Sequence, residues 1–407
     1  VGEAAVSGVS LIDTVMVLII NIFTALATGG AVIAGQFIGK QKEAEACKAT
    51  NQLLLFTVKA SVVVMALGYL GRNVILHGIF GKIDADVMYN CNIYLLIVFA
   101  SIPMIAVYNA GAAIFRSMGN STIAMITSLI MNAVNLGGNA VLIYGCHRGI
   151  EGVAIPTLVS RCVAAAIILV LLNNQSRQIH IFHPFSYHTD WNLLKKILYI
   201  GIPNGLENSM FQLGKILVLS LVTSFGTASI AANAVSNNIA MFAVLPGMSI
   251  GFAMLTVSAQ CVGAGDFEQV KYYTKKLMKL TYICLILMNI LVVLLLPFII
   301  IVYGLSAEAS EYARRILIYH SCCVVTIWPL SFSLANTLRA AADVKYTMIL
   351  AIVSMWTFRI GFSYILGSYL KWGVFGIWVA MTIDWLFRSI CFTIRYLGGK
   401  WKHASLV

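Results

Sequence analysis

The chain has 407 residues, of which 60% are hydrophobic and only 10% are charged, and its mean hydropathy is +0.89. Soluble domains carry roughly 25% charged residues, so this composition excludes a soluble globular protein and indicates a lipid bilayer as the solvent. The formal net charge of +12 is spread over short loops, without a basic module of recognisable type, and we therefore expect no nucleic-acid partner.

Apolar stretches of roughly 20 residues are long enough to cross a bilayer as helices. The sequence predicts eleven such spans, at residues 8–32, 52–76, 90–113, 122–145, 152–173, 200–225, 229–256, 280–303, 312–335, 346–370 and 374–397. The longest polar interruption lies between the fifth and sixth spans. We therefore expect an N-terminal lobe at 1–175, a cytoplasmic linker at 176–196 and a C-terminal lobe at 197–407.

An internal repeat relates the two groups of spans. The tract 35–39 (GQFIG) recurs 224 residues later at 259–263 (AQCVG), and 149–152 (GIEG) recurs at the same offset as 373–376 (GVFG). Two halves with the same helix order are common in secondary transporters. The predicted fold is an all-α membrane protein of two pseudo-symmetric bundles around a central cavity. We expect five spans in the N-terminal lobe and six in the C-terminal lobe, the first helix of the repeat being absent from this sequence.

The distribution of lysine and arginine predicts the orientation in the membrane. Alternate loops and the C-terminal tail carry sixteen of these residues on one face against six on the other. Because positive residues concentrate on the cytoplasmic side, the C-terminus is predicted to be cytoplasmic. We expect a multi-pass protein of a plasma membrane of the bacterial inner-membrane type.

Several motifs resemble those of one transporter family. The run 111–121 (GAAIFRSMGNS), followed by 132–135 (NAVN) and 143–145 (IYG), resembles the fourth-to-fifth helix signature of the multidrug and toxic compound extrusion (MATE) transporters. Gln36 with Gly39, and the tracts 201–203 (GIP) and 263–266 (GAGD), are similar to the same family. The resemblance covers essentially the whole chain. It implies a twelve-helix antiporter that exports amphipathic, often cationic, drugs or metabolites in exchange for Na⁺ or H⁺ by alternating access.

The resemblance also implies the partners. We expect a small amphipathic substrate, the lipid bilayer, a monomeric state, and no cofactor beyond Na⁺ or H⁺ as the coupling ion. The alternative is a lipid-linked saccharide flippase of the same superfamily, which needs a wide cationic cavity. A membrane enzyme is not supported, because the sequence has no acidic metal cluster, no nucleophile beside a base at helical spacing and no phosphate loop. The linker histidines His180, His183 and His188 have a spacing that arises easily by chance, so no metal site is expected.

A polar stripe is predicted in the span 122–145. Ser128, Asn132, Asn135 and Asn139 lie within about 60° of one another on a helix, and amides are costly in hydrocarbon unless they find partners. We expect the stripe to face the lobe interior. The stripe either forms hydrogen bonds that hold neighbouring helices together or relays an ion. In the second case the cation-coupling candidates are Asn132, Asn135 and Asn139. The resemblance implies an aspartate at position 139, whereas the amide present offers a carbonyl oxygen to Na⁺ but cannot titrate.

The span 200–225 carries a second polar face. Asn204, Glu207, Asn208 and Lys215 fall within about 100° of arc, and an ionisable residue inside a membrane span indicates function by default. We predict Glu207 as the first choice of coupling carboxylate, with a merely solvated interfacial glutamate as the alternative. The candidates for a cavity or substrate site are Asp13, Gln36, Asn204, Asn208, Lys215, Asn233, Asn237, Gln260 and Arg359.

The C-terminal lobe is predicted to differ chemically from the first. Arg359 occupies the repeat position of Asn135. Asp384 has Arg388 four residues further on, the spacing of an intrahelical ion pair. No catalytic residue is predicted anywhere in the chain.

Overall fold

A computed structural model describes residues 3–79, 84–182, 187–403 and 406, and every regular element in these residues is helical. The α-helices are α1 Glu3–Gly39, α2 Glu43–Leu70, α3 Ala85–Phe99, α4 Ile102–Ser117, α5 Ser121–Ala140, α6 Glu151–Leu172, α7 Trp191–Thr223, α8 Thr227–Gly263, α9 Phe267–Tyr303, α10 Ala307–Thr326, α11 Leu334–Ala340, α12 Val344–Ser354 and α13 Gly373–Leu397. The predicted class, an all-α membrane protein, is confirmed.

The helix bounds reproduce the internal repeat. The last residues of α1 and α8, Gly39 and Gly263, are separated by the same 224 positions as the repeated tracts. The starts of α2 and α9 are separated by that offset too. The duplication inferred from short sequence tracts therefore extends to whole helices.

Two of the predicted spans are broken helices. Eight described helices are long and apolar enough to cross a membrane, and two bent pairs raise the number to ten. The helices α3 and α4 are bent by 47° relative to each other, at a break just before Pro103. The bend between α10 and the helical segment Pro329–Ala340 is 56°. Proline removes a helical hydrogen bond and disfavours helical geometry in the residue before it. The sixth predicted span lies in α7, which is not counted among these ten because its polar residues lower its hydropathy.

Wide π-helical turns end the corresponding span in each half. Val141–Gly145 follows α5, and Met355–Gly361 with Ser363–Tyr369 follows α12. Such turns are rare in proteins overall, but those that occur often lie at functional sites. They place Arg359 within a segment whose helical spacing differs from the ideal 3.6 residues per turn.

The chain divides into two compact units, Val1–Gly205 and Leu206–Val407. In the first, α1 packs against α2, α3 and α4, and α5 packs against α6. In the second, α8 packs against α9 and α10. A close backbone approach occurs in the second unit, where a Cβ on Gly376 would lie 2.8 Å from the carbonyl carbon of Leu366.

The segment before α7 is held on α2 by one side chain. Gln52 Nε2 donates to the His188 carbonyl at 2.9 Å, and its Oε1 accepts from the Asp190 backbone N–H at 3.0 Å. Asp190 Oδ1 in turn accepts from the backbone N–H groups of Asn192 and Leu193 at the start of α7. These bonds fix the start of the helix that carries Glu207 and Lys215.

Candidate functional site

A connected set of side chains, the N-terminal polar network, comprises Asp13, Tyr94, Asn135, Asn139 and Thr157. The Tyr94 hydroxyl on α3 donates to Asp13 Oδ1 on α1 at 3.0 Å, and the Tyr94 hydroxyl also interacts with the Thr157 side chain on α6. Asn135 donates to Thr157 Oγ1 at 3.1 Å, and Asn139 donates to Asn135 Oδ1 at 3.3 Å. Three candidates, which the sequence placed on two separate spans, thus belong to one network.

Two oxygen-bearing groups give this network cation-binding character, the Asp13 carboxylate and the side-chain carbonyl of Asn139. Its one carboxylate, Asp13, interacts electrostatically with Arg161 on α6, while Arg161 Nη1 donates to Ser101 Oγ at 2.7 Å. The Asn139 Oδ1 atom is buried and has no hydrogen-bond partner among the described residues. A buried acceptor without a donor carries a desolvation penalty, and oxygen atoms of this kind are the ligands that hard cations prefer. Asp13 also lines a cleft of about 580 Å³ along α1 with Ser10 and Thr14.

The polar stripe of α5 is only partly turned inward. Asn135 and Asn139 are half-buried, whereas Asn132 is exposed. The buried residues of α5 are Ala124 and Thr127 alone, because its contacts are made mainly along one side with α6. The stripe therefore does not face the interior along its whole length, and its inner end supplies the network.

Glu207 forms an ion pair that the sequence did not reveal. Its Oε1 accepts from Arg339 Nη2 at 2.7 Å, and Arg339 Nη1 donates to Asn336 Oδ1 at 3.1 Å. The side chains of Arg339 and Glu207 keep 17% and 11% exposure. The Glu207 Oε2 atom is buried without a hydrogen-bond partner in the described chain. The charge of the predicted coupling carboxylate is thus already balanced.

Cationic groups gather elsewhere in the second unit. Lys215 Nζ lies 5.1 Å from the ring centroid of Phe211, and Arg359 Cζ lies 4.8 Å from the same centroid. Arg388 Nη2 lies 3.3 Å from Asp384 Oδ2, which confirms the predicted intrahelical pair. The Ser354 hydroxyl donates to the same carboxylate. This region therefore combines three cations with one carboxylate.

The remaining candidates are dispersed. The Trp378 indole N–H donates to Asn233 Oδ1 at 3.0 Å, and Asn237 donates to the Asn233 carbonyl at 2.8 Å. Gln36 is fully buried in α1, and the half-buried candidates are Asn204, Asn208 and Gln260. No group of three or more metal-binding side chains occurs in the described residues, and His183 lies outside them.

Five side chains that make these contacts were not among the candidates from the sequence: Tyr94, Thr157, Arg161, Phe211 and Arg339. Arg161 had a usable signal, since a cation inside an apolar span indicates function or a partner. Arg339 lies at the end of α11, where sequence alone places it in a loop on the basic face. Tyr94, Thr157 and Phe211 are ordinary residues for an apolar helix. Their roles depend on contacts between helices.

Comparison with known proteins gives a consistent result. The family model described as MatE matches residues 1–141 and 203–365. The chain is 26% identical over 405 residues to "Uncharacterized transporter YisQ" of Bacillus subtilis, covering 98% of this chain and 88% of the relative. It is 25% identical over 416 residues to "Probable multidrug resistance protein YoeA" of the same organism, covering 100% and 88%. A solved structure, "Crystal structure of MATE in the bent conformation", superimposes with a TM-score of 0.90 over 100% of this chain and 90% of that chain, at 19% identity.

Proposed function

Because this chain belongs to the MatE family of multi-pass membrane transporters, we propose that it is a secondary active antiporter. It exports amphipathic organic compounds in exchange for Na⁺ or H⁺ by alternating access. Its family consists of transporters, so the chain is a transporter and not an enzyme. The relative YoeA is named as a probable multidrug resistance protein, which supports export of drug-like molecules. The basic loops support a cytoplasmic C-terminus in the bacterial inner membrane, and we propose that the transporter acts as a monomer.

The N-terminal polar network is the observation that carries the antiport proposal. Asp13 is its carboxylate, and Asn139 Oδ1 is a buried oxygen without a donor in the described residues. Na⁺ takes oxygen ligands of either kind, and a proton neutralises Asp13. Either ion weakens the hydrogen bond of Asp13 to the Tyr94 hydroxyl and its electrostatic attraction to Arg161. A site of this composition responds to a cation, and we propose it as the coupling site.

Glu207 is the competing coupling carboxylate. Its Oε1 is held by Arg339 at 2.7 Å, so a cation binds there only after the arginine has been displaced or the ion pair has been screened. Asp13 has a hydroxyl donor and an arginine in electrostatic range, but no salt bridge in the described residues. We therefore assign the coupling ion to Asp13 and propose a structural role for Glu207.

Transport into proteoliposomes tests this function. The probes are a cationic dye, ethidium, and an anionic one, anthracene-9-carboxylate, each with an imposed Na⁺ gradient or pH gradient. We expect at least one gradient to accelerate transport of at least one probe, and we expect Asp13→Asn to remove the acceleration. The control is Asp86→Asn, which removes an exposed carboxylate from α3. Equal rates with and without both gradients, for both probes, would contradict antiport.

A further inference from the structure

Two cations share one aromatic ring in the second unit. Lys215 Nζ and Arg359 Cζ lie 5.1 Å and 4.8 Å from the centroid of Phe211, and the two cations interact electrostatically. An aromatic face attracts a cation, but a neutral ring leaves the repulsion between two like charges in place. The arrangement is stable in a low-dielectric setting only if a negative charge is supplied nearby.

The described protein supplies only part of that charge, one carboxylate for three cations. Neither Lys215 nor Arg359 forms a salt bridge in the described residues. The neighbouring carboxylate, Asp384, is fully buried and already binds Arg388 and Ser354. Arg359 is only 8% exposed, yet its Nη1 atom lacks a hydrogen-bond partner among the described groups. A buried guanidinium with a free donor is costly, and an anion relieves that cost.

Aromatic rings cluster between the segment that carries Arg359 and α13. The Phe358 ring centroid lies 4.6 Å from that of Phe387 and 5.6 Å from that of Phe362, and all three residues are half-buried. Lys215 is itself exposed. The half-buried Phe211 ring lies close to both cations. Cations beside an apolar ring match a molecule with an anionic head and an aromatic body, because pockets for small ligands combine apolar walls with few polar groups.

We propose that Lys215 and Arg359 bind the anionic group of an amphipathic organic anion, a carboxylate or a sulfonate, and that such anions are substrates of this transporter. The guanidinium offers a planar fork to the two oxygens of the head group, and the ammonium of Lys215 adds a further donor. The substrate class rests on the transport function proposed above, whereas the anion site does not. This differs from the cationic substrates that the family resemblance implies.

Binding of two matched probes to the purified protein tests the site. Anthracene-9-carboxylate and 9-(aminomethyl)anthracene share a ring system and differ in the sign of their charge. We expect the carboxylate to bind at least about tenfold more tightly, and Lys215→Met to weaken it about tenfold, as for loss of one charge-assisted hydrogen bond. Lys275→Met, which removes an exposed lysine from α9, is the matched control and leaves binding unchanged. Arg359→Lys, which retains the charge but loses the fork, is expected to bind the carboxylate more weakly than the wild type.

The outcomes separate the two proposals. Equal affinity for both probes, or carboxylate affinity that is unchanged in both Lys215→Met and Arg359→Lys, overturns the anion site. Gradient-driven transport of ethidium without binding of the carboxylate overturns the anion site and leaves antiport standing. Lys215-dependent binding of the carboxylate, with no gradient-driven transport of any probe, supports the anion site and overturns antiport.

Discussion

Arg339 on α11 donates to Glu207 on α7 through an Nη2 to Oε1 bond of 2.7 Å, which joins two helices of the second unit. A glutamate alone in an apolar span suggests titration or cation binding. Because Glu207 is paired with an arginine and mostly buried, we propose that it primarily stabilises the contact between α7 and α11. This relationship moves the proposed coupling site from α7 to the network around Asp13.

The ion pair between Glu207 and Arg339 predicts a loss of stability on substitution of Glu207, much of which a second substitution at Arg339 reverses. Glu207→Ala leaves the Arg339 guanidinium mostly buried without its carboxylate, at a cost of about 3 kcal/mol, the lower end for buried pairs, because Arg339 keeps 17% exposure. Glu207→Ala with Arg339→Met removes both charges and is expected to recover much of the loss. Thermal unfolding of the four proteins in the cycle measures this coupling.

A matched control for that cycle is an exposed pair. Glu268 and Lys271 approach to 2.7 Å, but Glu268 keeps 79% side-chain exposure, so Glu268→Ala is expected to leave the melting temperature unchanged. Equal melting temperatures for wild type and Glu207→Ala would mean that the Arg339 contact contributes nothing to stability.

Thr157 connects two halves of the N-terminal polar network, and its hydroxyl is expected to be needed for coupling. Thr157→Val removes the acceptor of Asn135 and the partner of Tyr94. A buried donor left unpaired costs about 1–3 kcal/mol, and Asp13 loses its link to α5. We expect ion-driven transport to fall at least tenfold in proteoliposomes, with downhill transport reduced less.

The control for that substitution is Thr24→Val, since the Thr24 hydroxyl bonds only to the Ile20 carbonyl within its own helix in the described structure. It is expected to retain wild-type coupling. A fully coupled Thr157→Val variant would remove α5 and α6 from the coupling site.

The close packing at Gly376 predicts an intolerant position. A Cβ there would lie 2.8 Å from the Leu366 carbonyl carbon and 2.9 Å from the Gly367 nitrogen, both backbone atoms that cannot rotate away. Overpacking of this kind costs about 1–3 kcal/mol, so Gly376→Ala is expected to lower the melting temperature by several degrees. Gly149→Ala, at a glycine whose added Cβ meets no atom within 4 Å, is expected to be tolerated. Equal behaviour of the two variants would contradict the observed packing of α13.

The buried Asp384 carboxylate is expected to stabilise the second unit. It is fully buried, bonds to Arg388 at 3.3 Å and accepts from Ser354. Asp384→Asn leaves Arg388 without a counter-charge and is expected to cost about 3–5 kcal/mol. Adding Arg388→Met is expected to restore part of that loss. A single variant as stable as the wild type, measured by thermal unfolding, would contradict this role.

The sequence predicted the parts of the fold that follow from composition and repetition. The offset between 35–39 and 259–263 predicts the same offset between the starts of α2 and α9. The π-helical turn that carries Arg359 was not predictable, because its hydrogen-bond spacing depends on packing against α13. The partner of Glu207 was hidden for a similar reason: Arg339 is 132 residues away in the chain, and no local pattern joins them.

The candidate site shows the same division. Asp13, Asn135 and Asn139 were found from their chemistry and their position in apolar spans. Their connection was not, because it runs through Tyr94 and Thr157, whose hydroxyl groups are unremarkable on helices of this composition. Polar residues are visible in an apolar sequence, but the bonds that join helices are not.

Ion movement caused by the substrate is the most direct test of antiport through Asp13. Proteoliposomes without an imposed gradient are loaded with a pH dye or ²²Na⁺, and a transported probe is added outside. We expect the probe to drive counter-movement of one of these ions in the wild type and in Asp86→Asn, but not in Asp13→Asn, which still binds the probe. Probe uptake without movement of either ion in the wild type, or undiminished ion movement in Asp13→Asn, would contradict the account.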